Sequence, residues 1–166
     1  NYIERMFALY APATFLSLFI DDCITKGKDY YNGGARYNTT YIQCTGLGTT
    51  TDCFATIKKH VFEEKRYTMD ELLTAVAANF EGHEKMRQHI MNRTPFFGND
   101  DEYADTIAVK VYEDLVAAIK GHPNTRGGET QLNMLSTTCH NYFGSVCHAT
   151  PNGRLAHFAI SDGTSP

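Results

Sequence analysis

Two cysteine-histidine pairs, Cys139-His140 and Cys147-His148, lie eight residues apart and offer four ligands of the kind that hold zinc. The same pairing is also what nucleophilic thiol catalysis uses, provided a base lies within hydrogen-bond reach. Adjacent residues on a strand point to opposite faces, so Cys139 and His140 on a strand do not converge on one ion. Ordinary core or loop positions are expected for both pairs, and no bound metal is expected. Gly46-Leu47-Gly48-Thr49-Thr50-Thr51 has the paired glycines of a phosphate loop but neither the third glycine nor a Walker lysine. It reads as a tight turn that lets a strand pack closely on the next helix. The acidic run Asn99-Asp100-Asp101-Glu102 suits a hard cation or, more simply, a helix N-terminus, where carboxylates complement the dipole.

The elements that must position these residues alternate helical and extended patterns. Phe15, Phe19, Ile20, Cys23 and Ile24 repeat at helical spacing and predict one buried helix over Thr14–Lys26, stopped by Gly27. Ala35–Gln43, with Tyr37, Thr39, Thr40, Tyr41 and Ile42, reads as extended. Asp52 is placed to cap a helix through about Glu64, with Phe54, Ile57 and Val61 on one face. Thr68-Met69-Asp70-Glu71 is a capping box, followed by Leu72, Val76 and Phe80 at steps of four. A shorter helix is expected over Glu84–Met91, and a longer one over Glu102–Lys120 with Ala104, Ile107, Val111, Leu115 and Ala118 on its inner face. Gln131–Phe143 reads as a strand, with Leu135, Thr137 and Cys139 on one side and Met134, Ser136 and Thr138 on the other. Helices between extended segments make an α/β arrangement.

Composition excludes several function classes. The 166 residues carry 15 basic and 19 acidic side chains, a net charge of -4, which is no footprint for a polyanion; nucleic acid is not an expected partner. The apolar stretch Met6–Ile20 is interrupted by Pro12, Thr14 and Ser17 and is shorter than the roughly 20 residues that span a bilayer. Five cysteines without dense regular spacing read as free thiols in a reducing, cytoplasmic compartment. The sequons at Asn38 and Asn92 are therefore not expected to carry glycans.

Several motifs occur together in one order. They are Gly33-Gly34-Ala35-Arg36-Tyr37-Asn38, the Gly46-x-Gly48-Thr49 turn with Asp52, Pro95-x-x-Gly98-Asn99-Asp100-Asp101, and Ala149-Thr150-Pro151-Asn152-Gly153-Arg154. From about Thr14 to Pro166 the chain resembles the glycyl radical enzymes of the pyruvate formate-lyase-like family. Within that family, Arg36–Gln43 and Thr137–Gly144 are most similar to members that dehydrate trans-4-hydroxy-L-proline, and less to those acting on choline or glycerol. Cys44 and His148 depart from the family pattern, standing where glycine and a small residue are usual.

The resemblance implies a ten-stranded α/β barrel built from two halves, of which residues 1–166 form a partial, internal pyruvate formate-lyase-like domain. It implies a protein-derived glycyl radical, installed by a radical S-adenosylmethionine activating enzyme, that generates a thiyl radical on a cysteine. Neither carrier matches a residue of this chain. The cysteine loop, of Gly-Cys-Val-Glu type, is expected upstream of Asn1, and the glycine loop, of Arg-Val-x-Gly-Tyr type, beyond Pro166. No catalytic residue is therefore assigned here, and the segment alone is expected to be inactive. By match to the family, Leu135 and Thr137 border the substrate, Leu135 shaping an apolar wall and Thr137 orienting a polar group. The expected activity of the whole protein, a homo-oligomer of anaerobic metabolism, is radical dehydration of a small hydroxylated substrate such as hydroxyproline. Formate C-acetyltransferase or choline- or glycerol-type lyase chemistry is the alternative, and a non-catalytic scaffold or binding domain is the reading from another class.

Overall fold

The computed structural model describes residues 2–165. The chain order is α1 (Tyr2–Tyr10), α2 (Thr14–Ser17), α3 (Asp21–Lys26), a 3-10 turn (Tyr30–Asn32), β1 (Thr40–Gln43), α4 (Leu47–Thr56), a π-helical stretch (Ile57–Glu63), α5 (Met69–Ala77), α6 (Glu84–Arg93), α7 (Glu102–Ile119), β2 (Thr130–Asn133) and α8 (Cys139–Val146). Strands β1 and β2 pair in a two-stranded parallel sheet. The chain divides into two compact units, one running to Ile42 and including Val116–Asn133, the other comprising Gln43–Leu115 and the segment from Met134.

In the first unit the predicted single helix over Thr14–Lys26 is two short ones, broken between Ser17 and Asp21. Ser17 explains part of the break, because its hydroxyl lies within hydrogen-bond reach of both the Ala13 carbonyl and Asp29 and accepts from the Tyr30 amide. Only Cys23 of the expected apolar face is buried; Phe15 and Phe19 are about three-quarters exposed. Gly27 ends α3 in the left-handed region, as expected of that residue. The Gly33–Asn38 motif is held tightly. A Cβ at Gly34 would overlap the carbonyl of Lys28 and approach the Cys23 sulfur, so no other residue fits there. Asn38 donates to the Ala35 carbonyl at 2.8 Å and its own carbonyl accepts from Asn124. Arg126 Nη2 donates to the Thr39 carbonyl at 2.8 Å, and Glu4 accepts from the Thr40 and Thr125 hydroxyls.

The second unit holds the larger core, made of Leu72, Ala75, Phe80, Ile90 and Ala149, with Ile57, Val61, Tyr67, Val76, Met86, Phe96 and Leu155 packed on it. The capping box forms as predicted: Thr68 Oγ1 accepts from the Glu71 amide at 3.2 Å and the Glu71 carboxylate accepts from the Thr68 amide at 2.8 Å. Helix α5 stops at Ala77, because Asn79 and Phe80 both adopt the left-handed region. Phe80 is still fully buried, delivered by the turn instead of the helix, and Asn79 Oδ1 accepts from the Ala156 amide at 2.8 Å. Helix α7 turns Ala104 and Ala108 fully inward with Ile107, Val111 and Leu115 half-buried, whereas Ala118 is exposed.

Two expectations are corrected. Asp52 does not cap a helix; α4 begins at Leu47 after Gly46, which sits in the left-handed region, so Asp52 lies inside it. The strand expected over Gln131–Phe143 ends at Asn133, Met134–Thr138 is irregular, and α8 starts at Cys139. Side-chain alternation along Leu135, Thr137 and Cys139 therefore has no strand to rest on.

Candidate functional site

Leu135 and Thr137 lie on the irregular link between β2 and α8. Leu135 is 62% exposed, and its carbonyl accepts from Gln43 Nε2. Thr137 is half-buried; its hydroxyl meets the Cys139 sulfur, and its carbonyl lies 2.6 Å from His140 Nδ1. Cys139 in turn lies 3.6 Å from the Thr45 hydroxyl. These hydroxyls, Thr137 first and then Thr45, favour the thiolate and lower the Cys139 pKa from its ordinary value. Thr137 thus joins a chain of polar contacts through Cys139 to Thr45. Thr45 itself lines a cavity of about 450 Å³ together with Cys44, Gly46, Leu47, Thr50, Phe54 and residues of α7. Gly46 suits this turn because its φ is +89°, in the left-handed region; an added Cβ would also lie 3.1 Å from the Ile160 Cδ1, a tight contact.

Asp52 draws the Phe97 and Asn152 segments around one carboxylate. Its Oδ1 accepts from the Phe97 amide at 2.8 Å, and the Asn152 side chain hydrogen-bonds to it. Desolvation outweighs these two bonds and raises its pKa to about 6. Beside it, burial pushes the Cys53 thiol up to about 11, so it stays protonated and poorly nucleophilic at neutral pH. The Ala149–Arg154 loop is knitted by Arg154, whose Nη1 donates to the Phe158 carbonyl at 2.7 Å, and by Arg87, whose Nε donates to the Gly153 carbonyl at 2.7 Å.

Neither Cys-His pair forms a metal-ligand cluster among the described residues. Cys139 and His140 are consumed by the contacts above, and Cys147 and His148 are not drawn to them. A different group has the required proximity: His60, Glu64 and His89, whose ligand atoms all lie within 4.8 Å of one another. Sequence reading passed over it, although His60 and Glu64 at i and i+4 on a helical pattern are a legible pair.

The family described as pyruvate formate lyase-like matches residues 1–144. The chain belongs to that family. A trans-4-hydroxy-L-proline dehydratase of Clostridioides difficile is 49% identical over 164 residues, which is 99% of this chain and 21% of that protein. The crystal structure of hydroxyproline dehydratase from the same organism, with trans-4-hydroxy-L-proline bound, matches with a TM-score of 0.91 at 48% identity, covering 96% of this chain and 20% of that one. A glycyl radical enzyme from Archaeoglobus fulgidus matches with a TM-score of 0.90 at 33% identity, covering 98% of this chain and 21% of that one. This pyruvate formate lyase-like chain spans about a fifth of the length of the curated relatives it matches. The expected resemblance and α/β class are borne out. No helix among the described residues is long and apolar enough to cross a membrane.

None of the 13 glycines is followed by tyrosine, and none of the five cysteines is preceded by glycine. Cys23, Cys53, Cys139 and Cys147 lie on or at the ends of helices, where they serve packing or local hydrogen bonds.

Proposed function

We propose that this chain is one wall of a glycyl radical dehydratase acting on a small hydroxylated substrate of the hydroxyproline type. The observation that carries the reading is the 49% identity to the dehydratase across 99% of the chain, with a backbone matching the substrate-bound enzyme at a TM-score of 0.91. In this reading residues 1–166 are an internal part of a pyruvate formate-lyase-like domain. The cysteine loop precedes Asn1, the glycine loop follows Pro166, and the complete enzyme is a cytoplasmic homo-oligomer charged by a radical S-adenosylmethionine activating enzyme.

Leu135 and Thr137 border the substrate. The exposed Leu135 side chain supplies an apolar surface that excludes water from the reacting centre. Thr137 offers a hydroxyl at the end of the chain of contacts through Cys139 to Thr45, so it is held at a fixed rotation when it meets a polar substrate group. The reading is tested by activating the complete protein anaerobically and assaying loss of trans-4-hydroxy-L-proline against sulfopropanediol, glycerol, choline and pyruvate. Turnover of hydroxyproline supports it; turnover of only one of the others keeps the family and replaces the substrate.

A further inference from the structure

The π-helical stretch Ile57–Glu63 has no role in the reading above, yet it carries the fully buried His60 ring. The widened turn is real in its hydrogen bonds: the Glu64 amide donates to the Lys59 carbonyl at 2.8 Å, and the Arg66 and Tyr67 amides both donate to the His60 carbonyl. Such turns place one extra residue in a helix and re-aim its side chains. Here the turn drives the His60 ring wholly out of solvent while leaving Glu64 partly exposed, one turn further on. From α6, the His89 ring meets the His60 ring edge-on at a centroid separation of 5.1 Å.

Three facts about these rings point to a ligand. His60 Nδ1 lies 3.0 Å from Glu64 Oε2, and its Nε2 lies 2.9 Å from the buried Thr94 hydroxyl. His89 Nε2 is buried and has no hydrogen-bond partner, an orphan that is costly unless something fills it. The donor atoms of His60, Glu64 and His89 already lie within 4.8 Å of one another. Ligand atoms around tetrahedral zinc, at bond lengths of about 2.0–2.2 Å, are roughly 3.4 Å apart. The approach needed is a small rotation, which the partly exposed Glu64 can make.

We infer that His60 Nδ1, the Glu64 carboxylate and His89 form a zinc site that pins the π-helical stretch to α6. Zinc on His60 Nδ1 takes the place of the hydrogen bond to Glu64: in the neutral ring the Nδ1 proton moves to Nε2, and the Glu64 carboxylate turns from that proton to the metal. Thr94 supports either state, because its hydroxyl donates to Nε2 in one tautomer of His60 and accepts from Nε2–H in the other. A second hydrogen bond on the far nitrogen is the usual way a ligating imidazole is oriented. The fourth position faces a cleft of about 600 Å³ lined by Lys59, Glu64, Arg66, His89 and Arg93. Lys59 is engaged with the Arg93 carbonyl at 2.6 Å. The cations of this cleft oppose a dication and weaken binding, and they select water or a small anion as fourth ligand. The site is separate from the substrate wall and does not depend on which substrate is turned over.

The test is metal binding by the complete protein that carries this chain, stripped with chelator and titrated with zinc and, as a spectroscopic probe, cobalt(II). One zinc per chain retained through gel filtration is expected. Glu64→Gln and His89→Gln should each weaken binding by about tenfold or more. Cobalt should give the comparatively strong visible bands of a tetrahedral site without the intense near-ultraviolet band of thiolate ligation. Glu64 is partly exposed, so Glu64→Gln keeps the test valid if His89→Gln fails to fold, as judged by circular dichroism. Absence of stoichiometric zinc, retention unchanged in the folded variants, or a thiolate band would each overturn the assignment.

Discussion

The Asp52 carboxylate accepts a hydrogen bond from the Phe97 backbone amide at 2.8 Å, which ties the turn motif of α4 to the Pro95–Asp101 motif 45 residues away. With Asn152 on the same carboxylate, three sequence motifs meet at one acid. Each of the three supplies part of one junction.

That junction gives a pH dependence of known sign. Burial raises the folded Asp52 pKa to about 6, above an unfolded value of about 3.9. Between about pH 4 and about pH 6 the folded state holds a proton that the unfolded state has lost, so stability falls as pH rises through that window. Asp52→Asn keeps an acceptor for the Phe97 amide and removes the ionisation. Chemical denaturation should show the variant more stable by about 1–2 kcal/mol at pH 7.5, after allowance for partial solvent screening, and equal to the parent near pH 4. A destabilised variant at neutral pH would mean that the charge itself is needed.

The core makes a second prediction. Leu72 and Ile90 are fully buried on facing parts of one cluster, so Leu72→Ala or Ile90→Ala should each cost about 2–5 kcal/mol in denaturant unfolding. Thr68→Ala breaks only the capping box and should cost about 1 kcal/mol. Gly144→Ala belongs with the large effects: a Cβ there would run onto the Phe158 carbonyl and within 2.5 Å of Ala159 Cα. A milder loss for Gly144→Ala than for Thr68→Ala would show that the α8 contact yields easily.

How much of this was legible in the sequence differs by residue. The capping box, the end of α3 at Gly27 and the inner face of α7 as far as Leu115 were readable because each depends on neighbours within a turn or two. Asp52 was misread as a cap because its partners, Phe97 and Asn152, are distant in sequence. The Gln131–Phe143 strand was overextended because Thr137, Thr138 and Cys139 favour extended backbone locally, whereas α8 is fixed by close packing of Gly144 on Phe158 and Ala159. Leu135 and Thr137 were reached through resemblance, and the strand argument offered for them does not apply. His60 and His89 were missed because a π turn and a pairing across 29 residues leave no periodic signal.

The 166-residue chain by itself carries Phe15, Phe19, Tyr37 and Phe158 well exposed, along with much of α1. In the proposed enzyme these face the remainder of the protein. The excised chain should therefore self-associate, measured by light scattering or analytical ultracentrifugation, in proportion to concentration. A monomer with a sharp cooperative melt would contradict this view of its surface.

Thr137 carries the specific claim about the substrate wall. Thr137→Val removes one hydroxyl at nearly constant volume; a lost hydrogen bond of about 1–1.4 kcal/mol lowers turnover roughly five- to tenfold. Thr138 is exposed and makes no capping bond with its side chain, so Thr138→Val is the control. Turnover in the activated complete enzyme should fall for Thr137→Val alone, with unchanged radical content by electron paramagnetic resonance. Equal losses in both variants would reduce Thr137 to a structural role through Cys139.

The most direct measurement of the central claim is electron paramagnetic resonance of the complete protein after anaerobic incubation with a radical S-adenosylmethionine activating enzyme, followed by addition of trans-4-hydroxy-L-proline. A glycine-centred radical signal, together with consumption of that substrate, is the predicted result. An intact, folded complete protein that forms no glycyl radical with a competent activating enzyme would contradict the proposal.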